Sequence, residues 1–249
     1  EARDLIPASN PFLRHFFDHI AGADFDQRLV YIVNELCEIF QAADIQALMK
    51  QYYHNNLFGE EVKGPDPVIH FYEDFLKEYD PVLRKKMGAY YTPLPVVNFI
   101  VKAVDHILIE EFKLANGLAD TTKLENKLHK VQVLDPAVGT GTFISAVIGR
   151  IYARILKNGQ KGVWPAYVLH DLLPRIFGFE LMMASYTIAH LKLSIAFKET
   201  GFWTFNNKRL GIYLTNSLED MGPQKDLFFG SGLAQSISDE AKQADKIKN

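Results

Sequence analysis

Apolar residues recur at helical spacing through the first third of the chain. Leu13, Phe16, Phe17 and Ile20 follow the turn signal Ser9-Asn10-Pro11, and a longer helix is predicted from about Phe25 to Phe40, with Val30, Val33, Leu36, Cys37 and Phe40 on one face. Gly59 to Pro67 reads as a loop, after which Ile69, Tyr72, Phe75 and Leu76 resume a helical period over Val68 to Tyr79. No strand alternation is convincing before residue 129. Residues 1–86 are therefore expected to form a helical region, and residues 87–249 a second domain.

The pattern then changes. Thr92-Pro93-Leu94-Pro95 has the form of a helix start, with Thr92 as candidate N-cap, and Val96 to Phe112 is predicted as an amphipathic helix. A polar connector, Asn116 to Lys127, leads to a short apolar strand over residues 130–135. A helix is expected over 141–157, closed by Lys157-Asn158-Gly159, with a further short helix from Trp164 to Leu173. Residues 175–180 and 210–214 read as strands flanking a helix from Met183 to Phe197. Strands alternating with helices imply a parallel sheet. Doubly wound sheets usually have five to seven strands, so three suggest half of one. From Met221 onward Gly, Ser, Gln, Lys and Asp dominate, and the stretch is expected to be a mobile loop.

Composition narrows the class without deciding it. Apolar content is 48%, charged content 23% and net charge −3, ordinary values for a globular protein with no global basic field. No apolar run is long enough for a membrane span. The single cysteine, Cys37, excludes a disulfide framework and fits a reducing cytoplasm; its apolar neighbours predict a buried structural thiol. Arg84-Lys85-Lys86 is read as a solvated helix end. His15 and His19 share a helix face but lack the glutamate of a zinc motif, so no metal is expected. Pro65-Asp66 with Glu111-Phe112-Lys113 is set aside as a nuclease core, because neither lies in paired strands.

The chemistry concentrates at Asp135-Pro136-Ala137-Val138-Gly139-Thr140-Gly141-Thr142-Phe143, a strand end, a glycine loop and a helix N-terminus. No Lys follows the glycines, and a carboxylate at Asp135 would repel a phosphate. A ligand with an ammonium and a sulfonium but no phosphate would welcome it, and S-adenosylmethionine is such a ligand. A dinucleotide is disfavoured, since Phe143 and Ile144 stand where a third glycine is needed. Glu180 ends the second strand, where a carboxylate accepts hydrogen bonds from both ribose hydroxyls; the bland alternative is a surface acid. Asn216, in Leu214-Thr215-Asn216-Ser217-Leu218, has an amide able to read an adenine edge, with Asp220 as the alternative.

The ordered set Gly88-Ala89-Tyr90-Tyr91-Thr92-Pro93, Asp135-Pro136-Ala137-Val138-Gly139-Thr140-Gly141, Glu180 and Asn216 resembles the adenine-specific DNA methyltransferases that modify the exocyclic amine. Residues 66–93 resemble a narrower branch, the methyltransferase part of single-polypeptide Type ISP restriction-modification enzymes; the likeness covers roughly residues 66–220. It implies a Rossmann-like S-adenosylmethionine-dependent fold. It also implies that Tyr90, Tyr91, Thr92 and Pro93 flank the methionine end and that Asp135 sits near the methionine amine. Pro136, Ala137, Gly139, Gly141 and Thr142 would line the cofactor, with Phe143 packed close by. Glu180 would hold the ribose and Leu181 the adenine face, with Asn216, Ser217 and Leu218 at the adenine edge. Asn216 stands where the family often has Asp.

The family's catalytic Asn/Asp-Pro-Pro-Tyr/Phe element has no counterpart, for the chain contains no Pro-Pro pair. Truncation before that element is the simplest expectation, leaving a fragment that binds cofactor but is inactive alone. DNA and other domains of the same polypeptide are the partners implied. The competing classes are a non-catalytic cofactor-binding coupling module, an RNA or protein methyltransferase, and a dinucleotide oxidoreductase.

Overall fold

A computed structural model describes residues 30–44, 92–205, 208–218 and 232–248, together with residues 28, 47, 54–55, 61–62, 78, 82 and 85. The chain divides into two compact units, one containing His19–Leu94 and the other Pro95–Asn249. In the first unit, helix α1 spans Val30–Ala42. The predicted face of α1 is not a buried one among the described side chains: Leu36 is 48% exposed and the Cys37 thiol is free and exposed. The expectation of a buried structural thiol is therefore corrected. A two-residue antiparallel pairing of His54–Asn55 with Glu61–Val62 also stands where no strand was expected. These strands are too short for period-two alternation to register. The predicted helices at 13–20 and 68–79 lie outside the described residues, apart from Glu78.

The second unit is built on a three-stranded parallel sheet in sequential order, β1 (Val133–Asp135), β2 (Ile176–Glu180) and β3 (Gly211–Leu214). The register pairs Asp135 with Gly178 and Glu180 with Leu214, so the C-terminal ends of all three strands lie along one edge. Helix α2 (Leu94–Glu110) begins two residues earlier than predicted, with Pro95 in its first turn, where the missing N–H costs no helical bond. Helices α3 (Thr142–Lys157) and α4 (Met183–Glu199) match their predicted spans closely.

Alternation along the strands separates two layers. Ile176, Ile212 and Leu214 join Ile144, Ile148, Ile151, Leu193 and Phe197 of α3 and α4 in the main core. Phe179 and Tyr213 on the opposite face pack with Ala244, and with the partly buried Phe177 and Ile247. Ala244 and Ile247 belong to helix α5 (Gly232–Lys248), which occupies much of the tail expected to be a mobile loop. Its apolar stripe, Ile237, Ala241, Ala244 and Ile247, is largely alanine, so helical spacing there carries little hydrophobic signal. A buried ion pair fixes it: Arg209 donates to both oxygens of Glu240, at 2.7 and 2.9 Å.

The connector before β1 is less polar in place than in sequence. Gly117–Ala119 forms a buried 3₁₀ turn. Buried Asp105 of α2 accepts the Leu118 N–H at 2.8 Å, Arg150 Nε at 2.6 Å and Arg154 Nη2 at 2.8 Å, tying α2, the turn and α3 together. The segment from Trp164 to Arg175 winds through α-helical, π and 3₁₀ turns before β2.

Candidate functional site

The edge formed by the strand ends carries the residues singled out by sequence. β1 delivers Asp135, and the chain then turns sharply. Gly139 and Gly141 adopt φ of +54° and +83°, left-handed conformations that side chains disfavour. Gly141 is the N-cap of α3, and a Cβ there would lie 3.3 Å from Leu193 Cγ and 3.5 Å from Ala189 of α4. The loop therefore packs directly onto α4.

The loop's amides are already engaged. The N–H of Ala137 donates to Asp135 Oδ1 at 3.2 Å, that of Gly139 to Glu180 Oε2 at 2.8 Å, and that of Gly141 to the Val138 carbonyl at 2.8 Å. Val138 N–H in turn reaches the Phe179 carbonyl at 2.9 Å, stitching the loop to β2. Glu180 is held at both oxygens, since Oε1 accepts the Met182 N–H at 2.8 Å.

Two carboxylates of this edge are perturbed in the same direction. Burial pushes the Asp135 pKa above its ordinary value, opposed by the Ala137 N–H. Burial also raises that of Glu180, against the N–H bonds from Met182, Gly139 and Leu181, while the nearby Asp135 charge adds to the rise. They differ in one respect. Asp135 Oδ2 is buried without any hydrogen-bond partner among the described residues. A buried carboxylate oxygen left bare is costly unless a donor or cation arrives.

Around this centre, Asp135, Pro136 and Phe143 border an apolar groove of about 470 Å³, a size ordinary for small-molecule sites. Thr142 receives a hydrogen bond from Lys192 Nζ at 3.1 Å. Thr215 N–H donates to the Glu180 carbonyl at 2.8 Å, setting the next segment beside β2. There Asn216 Oδ1 accepts the Leu218 N–H at 3.0 Å in a local turn, and its carbonyl accepts Lys248 Nζ at 2.9 Å. Leu181 and Leu218 are exposed, and Ser217 is half-buried.

The structure thus gathers Asp135, Pro136, Ala137, Gly139, Gly141, Thr142, Phe143, Glu180 and Asn216 at one sheet edge. Thr92 and Pro93 precede α2 and fall in the first unit, while Tyr90, Tyr91 and Asp220 lie outside the described residues. Sequence reasoning missed Lys192, Ala189 and Leu193. Their positions on α4 gave no signal, because only the packing of α4 on the loop brings them to the site.

A glycine loop between a parallel strand and a helix, with an acid at the next strand end, is now in place. The sequence profile of the N-6 DNA Methylase family matches residues 63–226, well over half of the chain. The chain belongs to that family. One relative in Methanocaldococcus jannaschii, RM.MjaORFECS2P, predicted to be a type II restriction enzyme and methyltransferase, is 28% identical over 173 residues; the match takes in 57% of this chain and 15% of that protein. A solved DrdV–DNA complex is 25% identical with a TM-score of 0.51, over 72% of this chain and 15% of that one. The ATP-dependent Type ISP restriction-modification enzyme LlaBIII bound to DNA shares the fold at a TM-score of 0.53 and 21% identity, over 94% of this chain and 15% of that one. The chain therefore spans about a seventh of the length of the relatives it matches. Its sheet and helices are part of a Rossmann-like methyltransferase fold.

Proposed function

We propose that the chain is the cofactor-binding part of an adenine-specific DNA methyltransferase that uses S-adenosylmethionine, within a restriction-modification polypeptide. The observation that carries this is Asp135, whose Oδ2 is buried and bare at the glycine loop. An ammonium or other cation answers that deficit; a phosphate does not. The amides of Ala137, Gly139 and Gly141 are spent on protein acceptors and are not free to cradle a phosphate. Both points favour S-adenosylmethionine over a dinucleotide.

When bound, S-adenosylmethionine supplies an electrophilic methyl group on sulfur, whose loss leaves a neutral thioether. The chain's residues hold and orient it. Asp135 takes the methionine amine, with Thr92 and its neighbours Tyr90, Tyr91 and Pro93 on the methionine end by family likeness. Glu180 Oε1 accepts the Met182 N–H and Oε2 the Gly139 N–H, and the carboxylate keeps lone pairs for the ribose hydroxyls. Asn216 spends Oδ1 on Leu218 N–H, so its amide nitrogen is the group left to read the adenine edge, between Leu181 and Leu218.

DNA as substrate, and further domains as partners, are supported by the relatives: DrdV is solved with DNA, and each relative extends far beyond the matched part. The 249 residues contain no Pro-Pro pair, so we expect them to bind cofactor without transferring methyl groups by themselves. No helix among the described residues is long and apolar enough to cross a membrane, and we place the protein in the cytoplasm, with DNA.

Transfer of tritiated methyl groups from S-adenosylmethionine to duplex DNA tests the proposal in the native protein carrying these residues. Label is expected on adenine, with an at least tenfold lower rate for Asp135→Ala, equivalent to about 1.4 kcal/mol of lost stabilisation. Label on RNA or protein instead, or an undiminished rate in the variant, would overturn it.

A further inference from the structure

A second polar feature of the unit lies away from the strand ends, in the groove between α2 and α3. It has a volume of about 540 Å³, a floor of small residues, Ala146, Gly149 and Ala153, and walls of Lys102, Arg150, Arg154 and Lys157. The cations are arranged by helical spacing. Arg150, Arg154 and Lys157 stand at i, i+4 and i+7 on α3, a helix with no acidic residue, and Lys102 faces them from α2. Arg154 and Lys157 also complement the C-terminal dipole of α3, but Lys102 and Arg150 have no such explanation.

The acid within the cluster is spent internally. Asp105 is buried and orients both guanidinium groups, through Arg150 Nε and Arg154 Nη2. That leaves the terminal nitrogens of Arg150 without a partner among the described residues, on a side chain still 33% exposed. Arg154 Nη1 is buried beside Gly117, so Arg154 lends the groove its charge rather than a free donor. Lys102 and Lys157 are exposed and pair with no acid among the described residues. On a chain of net charge −3, four cations around one buried acid form a local field rather than part of a general one.

We propose that this groove binds the phosphodiester backbone of duplex DNA, outside the segment on which the chemistry is performed. The Arg150 guanidinium, fixed by a carboxylate at Nε, is preset for phosphate oxygens, and the exposed lysines add point charges along the track. From Ala146 to Lys157 the groove follows about 17 Å of helix at 1.5 Å per residue, the axial rise of about five nucleotides of one strand at 3.4 Å each. The floor without large side chains lets a backbone approach closely, and contacts of this kind position DNA without reading its sequence. An acidic protein surface is the competing occupant.

The inference rests on the chain working on DNA, and its test separates the two. Binding of the 249-residue chain to a labelled duplex of about 20 base pairs would be followed by fluorescence anisotropy across a salt series, for wild type and Lys102→Gln/Lys157→Gln, with S-adenosylmethionine titrated into the same samples. The lysines touch neither Asp105 nor the glycine loop, so fold and cofactor binding should be kept, as melting temperature would record. We expect about tenfold weaker DNA binding near physiological salt and a slope of log K against log salt smaller by about two, at about 0.9 for each lost phosphate contact. Wild-type slope and affinity in the variant, or a wild type that binds cofactor but no DNA, would overturn the groove and leave the cofactor site standing. Competition by polyglutamate as effective as by DNA would overturn it in favour of an acidic protein partner. DNA binding lost by the variant in a chain that takes no cofactor would support the groove while removing the cofactor reading.

Discussion

At the scale of residues, the site is a contest between desolvation and backbone hydrogen bonds. Glu180 wins compensation at both oxygens from Gly139 and Met182, whereas Asp135 gains one bond and leaves the other oxygen bare. Glu180→Gln must therefore set an amide NH₂ against one backbone N–H. We expect it to lower stability by about 1–3 kcal/mol, the cost of an unsatisfied buried polar group, as chemical denaturation would measure. Asp135 lacks that second bond. Its raised pKa means that the native state holds the proton more tightly than the unfolded chain. Its contribution to stability is thus greatest below the ordinary value of 3.8 and is lost as pH rises through the folded value. Ionising this buried group costs stability, a cost that a bound cation would offset.

The identities of these residues were legible in sequence, because a strand, glycines and a helix follow one another locally. Their partners were not. Glu180 meets Gly139 across 41 residues only because the register sets Asp135 beside Gly178. Lys192 carried no signal within its predicted helix, yet it is 9% exposed and touches Thr142.

Among elements, α2, α3 and α4, which carry large apolar side chains, were read correctly to within two residues. Helix α5 was not, because alanines and a buried Arg209–Glu240 pair replace large hydrophobics in holding it to the sheet. Cys37 failed in the other direction, since a helical apolar period need not face a core. Helix α4 carries a titratable group at the same layer. His190 is fully buried, with Nε2 donating to the Ile212 carbonyl at 3.3 Å and Nδ1 unsatisfied among the described residues. Burial, reinforced by the Arg209 charge, lowers its pKa to about 3 from an ordinary 6.5. The unfolded chain binds this proton first, so the contribution of His190 is fully present above pH 6.5 and is lost as pH falls toward 3. The unfolding free energy should decline across that window with a slope approaching about 1.4 kcal/mol per pH unit. His190→Gln should flatten the decline by one proton; an unchanged slope in the variant would assign the acid sensitivity elsewhere.

At the scale of the whole molecule, the family match crosses the boundary between the two compact units, from residue 63 to residue 226. The sheet, its loop and α2–α5 belong to the second unit, and the chain spans about a seventh of its relatives. Fold class and family were visible from motif order alone, whereas the basic groove was not, because Lys102 and the cations of α3 lie far apart in sequence. What unites these parts is a single assertion, that the strand ends form a pocket for a cationic, phosphate-free nucleoside. Calorimetric titration of the chain at neutral pH with S-adenosylmethionine, with NAD as control, tests it most directly in wild type and Asp135→Asn. Saturable binding of S-adenosylmethionine but not NAD is expected, lost in a variant that melts no lower than wild type because the bare charge is gone. Equal binding by the variant, or preference for NAD, would contradict it.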